Sequence, residues 1–175
     1  MNIFYISDDP VQASQWMVDR HVVKMILESS QLLSTAHRLL DGVPVVTTVG
    51  RKKTSYVLSD AREGILYSTT HINHPSAVWA RQSVANYNWL VAHFNALMDE
   101  YTYRYGKQHK CSGEIATYLQ SPPKNLTKQE WTPMPSCMAD EYIISDDPIV
   151  NYRNYYKLGK TKLHSWKNRE APIWI

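Results

Sequence analysis

The segment Asp19 to Leu40, DRHVVKMILESSQLLSTAHRLL, constrains this chain more than any other. Val22, Val23, Met25, Ile26, Leu27, Leu32, Leu33, Ala36, Leu39 and Leu40 cover most of a helical wheel, which marks a largely buried helix. His21, Lys24, Glu28, Gln31 and Thr35 recur at steps of three and four and form one narrow polar stripe along it. Burying a Lys or Glu is costly unless it is paired or changes protonation. A polar stripe on an oily helix therefore predicts a cleft that a ligand enters. Lys24 and Glu28, four residues apart, are also spaced to pair. The plainer alternative is an ion pair that only closes the core, because structural pairs leave the same trace.

At 175 residues and 43% hydrophobic, the chain has enough apolar surface for one core, and residues 1–175 are read as a single domain. A net charge of +3 selects no partner. Six Trp and twelve Tyr against two Phe favour aromatics with a polar handle, which suit binding surfaces as well as cores. Cys111 and Cys137 lack metal or redox spacing, which favours a reducing compartment without excluding one bridge. The opening MNIFYISDD has no basic n-region, and no segment approaches ~18 consecutive apolar residues. The expectation is a protein with no membrane span, located in the cytoplasm.

The fold class expected is mainly α, a single-domain helical bundle. Asn2 to Ile6 reads as a short strand or an extended arm. Asp8-Asp9-Pro10 starts a short helix over 10–17, with an acidic N-cap and Pro in the first turn. The central helix should stop near Asp41-Gly42, with Gly as a left-handed C-cap. A short hairpin is possible near 43–59, its tip the basic stretch Gly50 to Ser55. A second long helix is expected from Ser76 to Tyr103. Residues 106–140 read as a long loop, since Pro122, Pro123, Pro133 and Pro135 lie there, broken by a short helix near Glu114–Leu119. Ile144-Ser145-Asp146-Asp147-Pro148 repeats Ile6-Ser7-Asp8-Asp9-Pro10, so the same helix start is used twice. The last helix spans Pro148 to Leu158.

Three stripe residues can carry chemistry. An ionised Glu28 stabilises positive charge as a glycosidic bond breaks, and a protonated one serves as an acid. A desolvated Lys24 can form a Schiff base with an opened sugar aldehyde. His21 belongs to the residue type that titrates near neutrality. Asp19 and Gln31 on the same helix, Arg81, Gln82 and Asn86 on the second, and His71 and His74 in a polar loop are the candidate substrate contacts. A metal held by His71, His74, His21 and Glu28 is a competing reading, but His-x-x-His in a Pro-capped loop has little specificity. No metal or cofactor is expected. There is no Gly-x-Ser-x-Gly elbow and no Gly-rich phosphate loop.

Two stretches suit nucleic acid. Arg51, Lys52 and Lys53 are placed to contact phosphates, or else form a solvated turn. Residues 151–175 hold Arg153, Lys157, Lys160, Lys162, Lys167 and Arg169 against Glu170 alone, interleaved with Tyr152, Tyr155, Tyr156, Trp166 and Trp174. Cations neutralise phosphates while aromatic faces stack on unpaired bases. Tyr155, Tyr156, Lys157, Trp166, Lys167 and Arg169 are the candidate contacts. The alternative docks the aromatics in the core and leaves the lysines in water.

Asp19-x-His21 followed by Glu28 on an early helix resembles the pyrimidine-dimer DNA glycosylases of the phage endonuclease V type. In that family a similarly spaced Asp, His and catalytic Glu lie on an early helix, in a short helical chain with an aromatic and basic C-terminus, here Tyr155-Tyr156-Lys157 and Trp166-Lys167. The match is strongest over 19–28 and extends to 150–168. The resemblance implies Glu28 as the catalytic carboxylate, His21 in a DNA-facing cleft and C-terminal aromatics that hold a distorted duplex with one nucleotide flipped out. The family's nucleophile is an N-terminal amine freed by removing Met. Asn2 is too large for efficient Met removal, so either Lys24 substitutes or the chain is a monofunctional glycosylase. The expected function is excision of a damaged or modified pyrimidine from double-stranded DNA, with no obligate protein partner. The alternatives are a base-modifying transferase acting on hydroxymethylpyrimidine DNA and a non-enzymatic nucleic-acid-binding protein.

Overall fold

The oily helix is the axis of the molecule. In the computed structural model, which describes residues 1–48, 50 and 52–175, it is α2 (Asp19–Asp41). Val22, Ile26, Leu32, Leu33 and Ala36 are fully buried along it. Around it stand α1 (Pro10–Trp16), α3 (Pro75–Ala80), α4 (Val84–Tyr105), α5 (Glu114–Leu119) and α6 (Pro148–Gly159). Only β1 (Val43–Thr47) and β2 (Lys53–Val57), an antiparallel pair, form sheet among the described residues. The architecture is thus mainly α. No described helix is long and apolar enough to cross a membrane.

α4 supplies the main wall against α2 and also carries α1. Its inner face brings Tyr87, Leu90, Phe94 and Leu97 to the core, where Trp79 of α3 and Tyr152 and Tyr156 of α6 meet them. The repeated ISDDP motif acts as expected. Asp9 accepts from the Val11 and Gln12 amides at the start of α1, and Asp147 accepts from the Ile149 amide at the start of α6. Each has Pro in its first turn, where no intrahelical N–H is needed.

Two expectations are corrected. The helix read from Ser76 to Tyr103 is two helices, broken at Arg81–Ser83. Ser83 caps α4 by accepting from the Asn86 amide, and the carbonyls of Lys128 and Gln129 accept from Val84 and Ala85. Gly42 is extended (φ −88°), not left-handed. Its glycine is required by a close approach instead: a Cβ there would lie 2.4 Å from the Arg38 carbonyl oxygen.

Arg38, nearly buried, ties the hairpin to the axis. Its guanidinium donates to the carbonyls of Tyr56, Glu63, Leu66 and Tyr67 and to the Glu63 carboxylate.

Three buried histidines make the fold acid-sensitive. Burial, then Lys160, Lys24 and Arg20, push His21 down to about 3. Burial and Arg62 push His37 down to about 4 against the opposing pull of Asp41. Burial takes His93 to about 4 even though its ring bonds the Pro10 carbonyl. An unfolded His titrates near ~6.5, so below that pH the unfolded chain takes up protons that the folded chain refuses. Stability contributed by the neutral rings is present above ~6.5 and is lost as pH falls toward 4, at most about 1.4 kcal/mol per pH unit for each ring. The urea midpoint at pH 5 should fall well below that at pH 7. Equal midpoints would mean that these rings protonate without unfolding.

Candidate active site

Residues 2–6 form an arm without regular structure that roofs the first half of the polar stripe. Asn2 anchors it. Its side-chain oxygen accepts from the Ile3 and Phe4 amides, and its side-chain nitrogen donates to the Cys137 carbonyl at 2.7 Å. Its backbone N–H donates to Glu28 Oε2 at 3.0 Å, and the Met1 amine lies 3.9 Å from the same oxygen. Phe4 has φ 57°, a left-handed conformation that a bulky residue rarely adopts. Stacking on His21 at 4.1 Å and edge contact with Tyr156 hold it there. Further along the stripe, Thr35 accepts from the Thr70 amide, so the 70–74 loop covers that end.

Glu28 therefore sits beneath the arm, with Lys24 in front of it. The Lys24 ammonium lies 3.2 Å from Glu28 Oε1; the Glu28 side chain is 11% exposed, but that of Lys24 is 66% exposed, which corrects the expectation of a desolvated amine, since the long stem carries the charge out to solvent. Lys24 lines an open cleft of about 640 Å³ together with Asp19, Arg20, His21, Val23, Tyr105, Lys160 and Leu163. Glu28 is not in the wall of this cleft. The buried neutral His21 bonds Tyr156 and adds no charge.

The acid of the cleft is already committed. Asp19 binds Arg104 at 2.9 Å, the Ser165 hydroxyl and the Lys167 amide. Burial alone would raise its pKa; the bonds from Ser165, Lys167 and Arg104 outweigh that and lower it. Arg20, Lys24 and Lys160 thus leave the cleft positive and suited to an anion such as phosphate.

A second opening lies along the loop that precedes α3. Lys53, Thr54, Thr69, Thr70, His71, Ile72, Asn73 and His74 line about 590 Å³. His74 Nδ1 accepts from the Ser76 amide at the start of α3, so the neutral ring carries its proton on Nε2. Burial, the Met1 amine and His71 lower its pKa, while Glu28 pulls the other way. His74 thus feels the Glu28 group, whereas exposed His71 bonds Thr70.

The remaining candidates divide by placement. Gln31 is half-buried on α2. Asn86 is fully buried and serves structure, bonding the Trp79 carbonyl and both the hydroxyl and amide of Thr132. Exposed Gln82 accepts from Thr132. Arg81 is half-buried, with one guanidinium nitrogen unpartnered among the described residues. Lys52 and Lys53 are exposed on the hairpin, and Arg51 lies outside the described residues.

In the C-terminal segment Tyr156 is fully buried and has no face to offer a base. Tyr155 packs against Tyr142 and Phe4, with the Lys160 ammonium 4.5 Å from its ring. Trp166 donates to the Trp16 carbonyl. Arg169 binds Glu100 through two nitrogens and stacks on Tyr103. Lys157 and Lys167 are exposed.

Sequence reasoning missed Asn2 and Tyr105. Neither has a local signal, since each acts on residues distant in the chain. Among the described residues no three His, Cys, Asp or Glu side chains gather as a metal set, so His71, His74, His21 and Glu28 are not brought together as one. No family model, curated protein or solved structure matches this chain.

Proposed function

We propose that this protein excises a pyrimidine base from double-stranded DNA, using the Lys24 amine and the Glu28 carboxylate. The observation that carries the reading is an amine facing an open, positively charged cleft, with a carboxylate 3.2 Å behind it. An amine attacks only when unprotonated, and Glu28 Oε1 is positioned to take the proton. The freed Nζ adds to C1′ of a flipped nucleotide as the C1′–N bond breaks, and the base leaves with the bonding pair and gains a proton from solvent. Opening of the sugar ring then gives a Schiff base between Nζ and C1′. Arg20 and Lys160 suit the flanking phosphates.

Borohydride trapping on duplexes carrying a pyrimidine lesion tests this. A covalent adduct on Lys24, mapped by mass, is the expected result. An adduct on the Met1 amine, which lies on the other Glu28 oxygen, would keep the excision reading and reassign the nucleophile. Abasic product without an adduct means a monofunctional glycosylase. An intact strand with altered base mass means a transferase, and unchanged DNA bound with steep salt dependence means a binding protein.

A further inference from the structure

The hairpin is the part of the surface that the excision chemistry leaves unexplained. Every residue of β1 is exposed, and the ribbon shows solvent Val43 (64%), Val45 (44%), Val46 (51%) and Val57 (39%). The register Val43↔Val57, Val45↔Ser55, Thr47↔Lys53 puts three of these valines and Lys53 on one face. A mobile loop would give no meaning to such a face, but this ribbon is braced at its base by Arg38, whose guanidinium grips the Tyr56 carbonyl at 2.9 Å. Pro44 lies in the free strand β1. Proline on an edge strand discourages pairing with another strand, which argues against a second copy of the chain as the occupant.

Charge and shape favour a different one. Lys52 and Lys53 stand at the far end of the ribbon, beside Arg51 in the sequence. A two-stranded ribbon fits the DNA major groove, where apolar side chains read the thymine methyl group. Five residues span roughly 17 Å, about half a helical turn of duplex. The ribbon also borders the second opening, which Lys53 and Thr54 line together with His74.

We infer that the β1–β2 ribbon is a reading arm that lies in the major groove, with Val43 and Val45 against thymine methyls and Lys52 and Lys53 on phosphates. This rests on the proposal that the protein acts on duplex DNA, and it adds a preference for thymine-containing flanks.

The test is binding by fluorescence anisotropy across a salt series, on one undamaged duplex and on the same duplex with deoxyuridine replacing thymidine. The wild type should bind the thymine duplex tighter, by about fourfold for each methyl covered. V43S/V45S should erase that preference, and K52A/K53A should make the salt slope shallower by about 2. The exposed positions leave the fold intact, which circular dichroism checks. Steep, salt-dependent DNA binding by the wild type, with both double variants unchanged, overturns the ribbon's role and leaves the excision reading standing. No DNA binding by the wild type overturns both. A concentration-dependent dimer abolished by V43S/V45S, with DNA binding unaltered, overturns the inference in favour of self-association.

Discussion

Glu28→Gln should lower the single-turnover rate on lesion-bearing duplex at least about a thousandfold, equivalent to ~4 kcal/mol of transition-state stabilisation. DNA affinity should stay within about twofold. The amide has the same shape but cannot take a proton from Lys24. Its carbonyl still accepts the Asn2 N–H that now binds Oε2, so the arm keeps its anchor. Lys24 is largely in solvent and moves away from the new amide at little cost. The expected stability loss is thus about 1 kcal/mol, the scale of one ordinary hydrogen bond. Glu28→Ala is a poorer probe, because it strands the Asn2 amide and mixes folding with catalysis. Rapid-quench kinetics and anisotropy on the same preparation separate the two effects. Full activity in Glu28→Gln would reduce the pair to an ion pair that closes the core.

What could be read in advance was local. The stripe on α2, the proline-started helices and the short α5 each depend on residues within one or two turns, and they appear where expected. The Lys24–Glu28 contact is likewise an i,i+4 pair. The roof over it was not legible, because Asn2 reaches Glu28 across 26 residues and Cys137 across 135. The break before α4 was hidden for a related reason. Val78, Trp79 and Val84 continue a helical pattern, whereas the carbonyls that finish the new helix start come from Lys128 and Gln129. Tyr156 shows a signal that was present but outweighed. Tyr152 and Tyr156 are one turn apart and both face the core, while Lys157 points outward. That spacing marks a buried stripe, which the surrounding lysines mask.

The start of α2, where Arg20, His21 and Lys24 emerge, is set by one buried cation. Arg104 on α4 is almost fully buried, and its guanidinium makes four bonds: Nε to Glu100, one Nη to the Met17 carbonyl and Asp19, the other to the Gln15 carbonyl. It thereby pins the α1–α2 corner to α4. Arg104→Met fills much of the same volume but takes the donor from the buried Met17 carbonyl and the half-buried Gln15 carbonyl and removes the shared partner of two carboxylates. Arg169 still serves Glu100, and Ser165 and Lys167 still serve Asp19, so the charges are not wholly orphaned. Breaking a buried pair of this kind costs about 3–5 kcal/mol, which for a chain of this size lowers Tm by on the order of 10 °C. Arg104→Lys should recover little, because a single ammonium cannot reach acceptors spread around a planar fork. Urea unfolding at pH 7 measures the loss. A penalty under about 1 kcal/mol for Arg104→Met would mean that water or the neighbouring cations satisfy the corner, and that α2 is positioned by apolar packing alone.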